Sequence, residues 1–228
     1  MTATVEPAWR LSGRGESLWP LRATLAVAVV LQVVLPSDFA PRPRWGLLAV
    51  EVVLLGVLTV VHVRTLEGRI DHYSAGVRWA TVAMVAVISA ANTVSAVRLV
   101  VGLVSGTLVQ DAGELLVTGG AIWATNVIVF ALWYWELDRG GPGRRADGTH
   151  DVPPDLVFPQ MTDPDLAPAD WTPHFVDYLY LSFTNAAAFS PTDVMPYARW
   201  AKVMMMGQSA VSLMLVALVV ARAINVLH

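Results

Sequence analysis

Four polar side chains stand inside otherwise apolar stretches: Glu51, Asn92, Arg98 and Asn126. A charge or an amide surrounded by hydrocarbon is costly, so each signals a partner or a function. The runs that hold them predict helices, with Glu51 near the start of 45–63 and Arg98 near the end of 77–106. If these helices are antiparallel neighbours, the two charges lie at one depth, and an intramembrane Glu51–Arg98 pair is expected, structural in role. Separate snorkelling to the interface is the alternative. Asn92 and Asn126 also match in depth. Ser89, Asn92 and Ser95 recur at i, i+3 and i+6, on one helix face. Small and polar residues so arranged pack helices together, and a substrate site on the same faces is the other reading.

Other chemistry finds no support. The chain has no cysteine, which excludes disulfides, thiolate metal sites and a cysteine nucleophile. His62, His72, His150, His174 and His228 are scattered without ligand spacing, so no metal site and no cofactor are expected. No phosphate loop, nucleophile elbow or dinucleotide fingerprint occurs, and no enzymatic activity is expected. A net charge of −3 carries no basic signature for nucleic acid. The aspartates of 147–170 read as a solvated acidic stretch.

The elements that must position the polar residues follow from composition. Of 228 residues, 55% are hydrophobic and only 14% charged, against roughly a quarter charged in soluble domains. The excess apolar surface is expected to face lipid. Apolar runs cover 19–35, 45–63, 77–106 and 112–137, each near or above the roughly 20 residues that cross a bilayer as a helix. Trp19, Trp45 and Trp79 mark segment starts, and Trp133, Tyr134 and Trp135 the end of the fourth, as headgroup anchors do. Residues 139–173 are rich in proline and aspartate and predict an extended aqueous connector. A short stretch, 174–189, and a long apolar helix, 197–227, complete the chain.

A half-length helix, a turn and a full span form a re-entrant loop, which needs protein or a water-filled cavity around it. At this point the residues carry a resemblance. Ser182-Phe183-Thr184-Asn185-Ala186-Ala187-Ala188-Phe189-Ser190-Pro191-Thr192-Asp193-Val194-Met195-Pro196 resembles, without a gap, the S-F-T-T-L-T-T-V-G-Y-G-D-x-x-P stretch of potassium-channel pore modules. Ser182, Phe183, Thr184, Asp193 and Pro196 are shared. Tyr178, Tyr180, Arg199 and the small-residue-rich last helix also fit. The resemblance covers about the last quarter of the chain.

The T-V-G-Y-G element is replaced by Ala188-Phe189-Ser190-Pro191-Thr192. A ladder of inward carbonyls needs residues that accept positive φ, and Pro191 fixes φ and removes a donor. A potassium-selective filter is therefore not expected. In the tetramer that the resemblance implies, Ser190 and Thr192 would form hydroxyl rings, and Asp193 a carboxylate ring favouring monovalent or divalent cations. Phe189 would form an apolar constriction. The end of the pore helix, Asn185 to Ala188, would aim its negative dipole end at the cavity. Gly207 is a candidate hinge in the inner helix, or a close-packing contact. Asp193 capping the next helix is the plainer alternative.

The expected fold is thus an all-α membrane protein: four transmembrane helices, a re-entrant pore-like half-helix and a final long transmembrane helix. Its divisions are 1–138, 139–173 and 174–228. The expected function is a homo-oligomeric, poorly selective cation channel of the plasma (inner) membrane, multi-pass in lipid. A non-conducting channel-like scaffold and a small-molecule transporter are the alternatives. Arg10, Arg14, Arg22, Arg64, Arg69, Arg78, Arg139, Arg144 and Arg145 fall on one side of a four-helix arrangement, Arg42 and Arg44 on the other. The charge rule makes the first side, with the N-terminus, cytoplasmic. The resemblance implies the opposite.

Overall fold

The computed structural model describes residues 7–12, 16, 19–36, 38–39, 44–63, 75–106, 112–148, 152–163, 168–187 and 193–227. Its apolar runs are helices: α1 (Trp19–Val34), α2 (Arg44–Val63), α3 (Ala75–Ser105) and α4 (Ala112–Leu137). After them come α5 (Pro142–Asp147), strand β1 (Leu156–Val157), α6 (Pro159–Thr162), α7 (Phe175–Ala186), β2 (Met195–Pro196) and α8 (Arg199–Leu227). Among the described residues, three helical segments are long and apolar enough to cross a membrane: Arg78–Ser105, Ala112–Gly140 and Arg199–Asn225.

Helix α3 shows why the elements pack as they do. Thr81, Met84, Val85, Ile88, Ala91, Asn92, Ser95, Ala96 and Leu99 are buried, a stripe at helical spacing. Its opposite face exposes Val94, Val97, Val101 and Val104. A water-soluble helix would place charge there; here both faces are apolar. Helix α4 is the centre. It packs on α1, α3, α7 and α8, and from Ala121 to Glu136 it is buried nearly all round. Against α8 the approach is close: a Cβ on Gly119 would lie 2.7 Å from Val219 Cγ2.

The segment 139–173, expected as an extended connector, instead carries short regular elements that close one end of the bundle. The reason is that its charges find buried partners. Arg139 takes a left-handed conformation (φ 51°) and Gly140 and Gly141 follow at positive φ, which turns the chain sharply off the end of α4. A non-glycine residue there costs about 1–2 kcal/mol. The Arg139 N–H donates to Asp155 Oδ2 (2.8 Å), and its guanidinium donates to Asp138 Oδ2 (3.2 Å) and to the Trp9 carbonyl (2.9 Å). These bonds hold the strained turn.

Strands β1 and β2 pair antiparallel, Leu156 opposite Pro196 and Val157 opposite Met195. The Tyr197 and Ala198 N–H groups donate to the Asp155 carbonyl (2.9 and 3.2 Å). The chain therefore enters α7 and leaves toward α8 at the same end of the bundle.

Candidate functional site

Helix α7 is short, 12 residues. It starts at the closed end, where the His174 N–H donates to Asp177 Oδ2 (2.7 Å), a side chain from the first turn satisfying an N-terminal donor. One face carries Phe175, Tyr178, Leu181, Ser182, Asn185 and Ala186, all buried. The other exposes Val176, Tyr180 and Phe183.

Two polar clusters fix α7. The first lies at the closed end. Tyr178 donates its hydroxyl to Asp138 Oδ2 (2.7 Å). Arg145, buried, donates to the carbonyls of Trp135 (2.8 Å) and Asp138 (3.0 Å) and to Glu16 Oε1 (2.9 Å). Trp135 Nε1 donates to the other oxygen of Glu16 (2.6 Å). Burial alone would lower the Arg145 guanidinium; the Tyr178 hydroxyl, Glu16 and Asp138 beside it outweigh that and push it above its ordinary value. Arg78 pairs with Glu136 at 3.2 Å in the same layer. Thus Arg78, Arg139 and Arg145, counted from sequence toward the basic side of the helices, each hold a carboxylate.

The second cluster is deeper and centres on Gln208 of α8. Its Oε1 accepts from Tyr134 Oη and Asn185 Nδ2, both at 2.8 Å. Its Nε2 donates to Ser182 Oγ (2.7 Å) and to the Ser182 carbonyl (3.0 Å). Ser182 Oγ donates onward to the Val127 carbonyl (2.6 Å). One amide thereby joins α4, α7 and α8 with every donor used, as a buried polar group must.

At the C-terminal end of α7 lies a half-open cavity of about 270 Å³, lined by Trp123, Asn185, Ala187, Ser209, Ser212 and Val216, among others. The helix ends on this cavity, where Ser209 Oγ donates to the Asn185 carbonyl (3.1 Å), so the negative end of its dipole lies there. The edge of Trp123 stacks against Phe183, with ring centroids 5.8 Å apart.

The sequence-selected residues fall as follows. Thr184 bonds back to its own helix, at the Tyr180 (2.9 Å) and Leu181 (3.0 Å) carbonyls. Asn185 is turned to α8, donating to the Met205 carbonyl (3.0 Å) as well as to Gln208. Ala188, Phe189, Ser190, Pro191 and Thr192 lie outside the described residues. Asp193 is exposed just before β2. It stands well ahead of Arg199, where α8 begins, and so does not cap that helix. Gly207 is exposed, and a Cβ there would meet nothing within 4 Å, so close packing does not explain it; Gly119, by contrast, lies close against Val219 of α8.

One expectation is corrected. Glu51, fully buried, accepts a bond from Gln32 Nε2 (3.1 Å) on α1 rather than from Arg98. Helix α2 borders α1 as well as α3, and the neutral Gln32 amide of α1 is the partner found there. Asn92 and Asn126 do come together: with Ser89 and Gly207 they line a second cavity, between α3, α4 and α8.

Sequence reasoning passed over Gln208, Asp138, Arg145 and Asp155. A lone amide in the apolar run "MMMGQSAVSLML" was a usable signal for Gln208. No known protein family, curated protein or solved structure matches the chain.

Proposed function

We propose that the chain is the subunit of a homo-oligomeric, multi-pass protein of the plasma (inner) membrane that passes cations with little selectivity through a pore-loop module. In this reading α4 is the outer helix, α7 the re-entrant pore helix and α8 the inner helix. The observation that carries it is the path of α7: a half-length helix wedged between two long apolar helices, with both flanks of its loop tied to one end of the bundle. Two further features support it. The C-terminal end of α7 faces a cavity, where its dipole would favour a cation. Val176, Tyr180 and Phe183 form an exposed ridge at helical spacing, a surface suited to a sister subunit around a central axis.

Trp9 and Glu16 contact the end of the bundle where α7 begins, which in this reading puts them on the side from which the pore loop enters. The test is flux of sodium and potassium into liposomes carrying the purified protein, with its mass measured in native membranes or detergent. Flux of both ions through a tetramer, reduced several-fold by Asp193→Asn, is the expected result. A monomer, or a tetramer indistinguishable from empty liposomes, refutes the channel; the second outcome supports a scaffold.

A further inference from the structure

We infer that the cavity between α3, α4 and α8 is a binding site for a neutral amphiphile that reaches it through lipid, with a hydroxyl or amide head and a short apolar body. The site is separate from the α7 cavity and does not rest on the channel reading.

The cavity measures about 290 Å³. An apolar cavity of about 150 Å³ accepts benzene, so there is room here for about a dozen heavy atoms. Its polar wall is Asn92 and Asn126. Asn92 is 5% exposed, and its Oδ1 has no hydrogen-bond partner among the described residues. A buried amide group left unmade costs about 1–3 kcal/mol, and nothing else in the bundle uses this one. Asn126 gives its Nδ2 to Ser212 Oγ (3.2 Å), which fixes the amide in place. Ser89 accepts from Trp133 Nε1 (3.0 Å) and donates to the Val85 carbonyl (2.6 Å), so its hydroxyl is spent on orienting the tryptophan wall. Thr93 donates its hydroxyl to the Ser89 carbonyl (2.8 Å), and the remaining surface is Val129, Phe130, Met204 and the bare backbone of Gly207.

The chemistry of the occupant follows. Among the described residues no ionisable side chain lines the cavity, so a charged ligand would lose its hydration without a counter-ion. A carboxamide can both accept and donate, which suits a hydroxyl or an amide. Asn92 and Asn126 sit near the middle of helices long enough to span a bilayer, a depth open to membrane-dissolved molecules and closed to lipid headgroups. Gly207 borders the cavity with bare backbone, and a Cβ there would meet nothing within 4 Å.

The experiment is photolabelling of the full chain in liposomes with a diazirine-bearing octanol, with labelled residues mapped by mass spectrometry. Label is expected in 89–93, 126–133 and 204–207. Octanol and octanamide should compete at least tenfold better than octane, octanoate or octylammonium. Asn92→Leu and Gly207→Phe should each lower this label at least tenfold; Gly207→Phe should keep the melting temperature of the parent, and Asn92→Leu should keep or raise it, because it removes an unmade buried amide. Label unchanged in Gly207→Phe, label confined to the outward valines of α1 and α3, or octane competing as well as octanol would each overturn the inference. A cavity holding water alone gives the same negative result.

Discussion

Tyr178→Phe removes one oxygen and leaves the ring. That ring lies edge-on to Phe158, with centroids 5.4 Å apart, and the Arg145 guanidinium carbon is 5.2 Å from its centre; both contacts survive the change. What is lost is the 2.7 Å bond to Asp138 Oδ2, an ordinary length for a hydroxyl on a carboxylate. A buried hydrogen bond to a charged group contributes about 1.5–3 kcal/mol. Asp138 keeps the Arg139 guanidinium (3.2 Å) and, more weakly, the Leu156 N–H (3.4 Å), so a loss of about 2 kcal/mol is the working figure. For a chain of this length that is a fall of about 4–8 °C in the unfolding midpoint. The assay is thermal unfolding in a mild detergent, with Tyr180→Phe, on the exposed face of the same helix, as the control that should not move. In an Asp138→Asn background the cost of Tyr178→Phe should fall by more than half, because the charged acceptor is gone. A midpoint within 1 °C of the parent, or the same loss in both backgrounds, would refute the claim that this bond anchors α7 to the end of α4.

Three further outcomes follow from the packing. Gly119→Ala places a methyl group 2.7 Å from Val219 Cγ2 and should cost about 1–3 kcal/mol by overpacking; Val219→Ala in the same chain should restore most of the loss in the same melting assay. Gln208→Leu strands the Tyr134 hydroxyl and the Asn185 amide and should cost about 3 kcal/mol or more, read as resistance of the folded protein to denaturing detergent. Glu51→Gln replaces a buried carboxyl whose partner among the described residues is the Gln32 amide, so it should leave stability unchanged or higher; a marked loss of stability would restore the ion pair first expected with Arg98.

The helices were legible because lipid-length apolar runs ended by tryptophan leave little freedom. Trp19 opens α1 at the residue expected, and the run 112–137 is α4 to the residue. Depth was legible too: Asn92 and Asn126, matched by counting along two helices, share one cavity. Partners were not. Glu51 could be placed at a level but not assigned to a neighbour, since α2 has more than one. The closed end was least legible. Glu16 meets Arg145 across more than half the chain, and no local pattern announces such a pair. Read locally, Asp138, Arg139, Arg145 and Asp155 look like charges in water; only the fold turns them into a buried network.

The pairing of β1 with β2 has a consequence for the helices on either side of the loop it encloses. Asp155, Leu156 and Gln208 grip the chain on either side of residues 188–192 through backbone groups and through side chains outside that stretch. The bonds of this bracket are made by residues 155–157 and 195–198. They give the chain before α7 and the chain before α8 a common seat, so the two helices keep one relative register at that end.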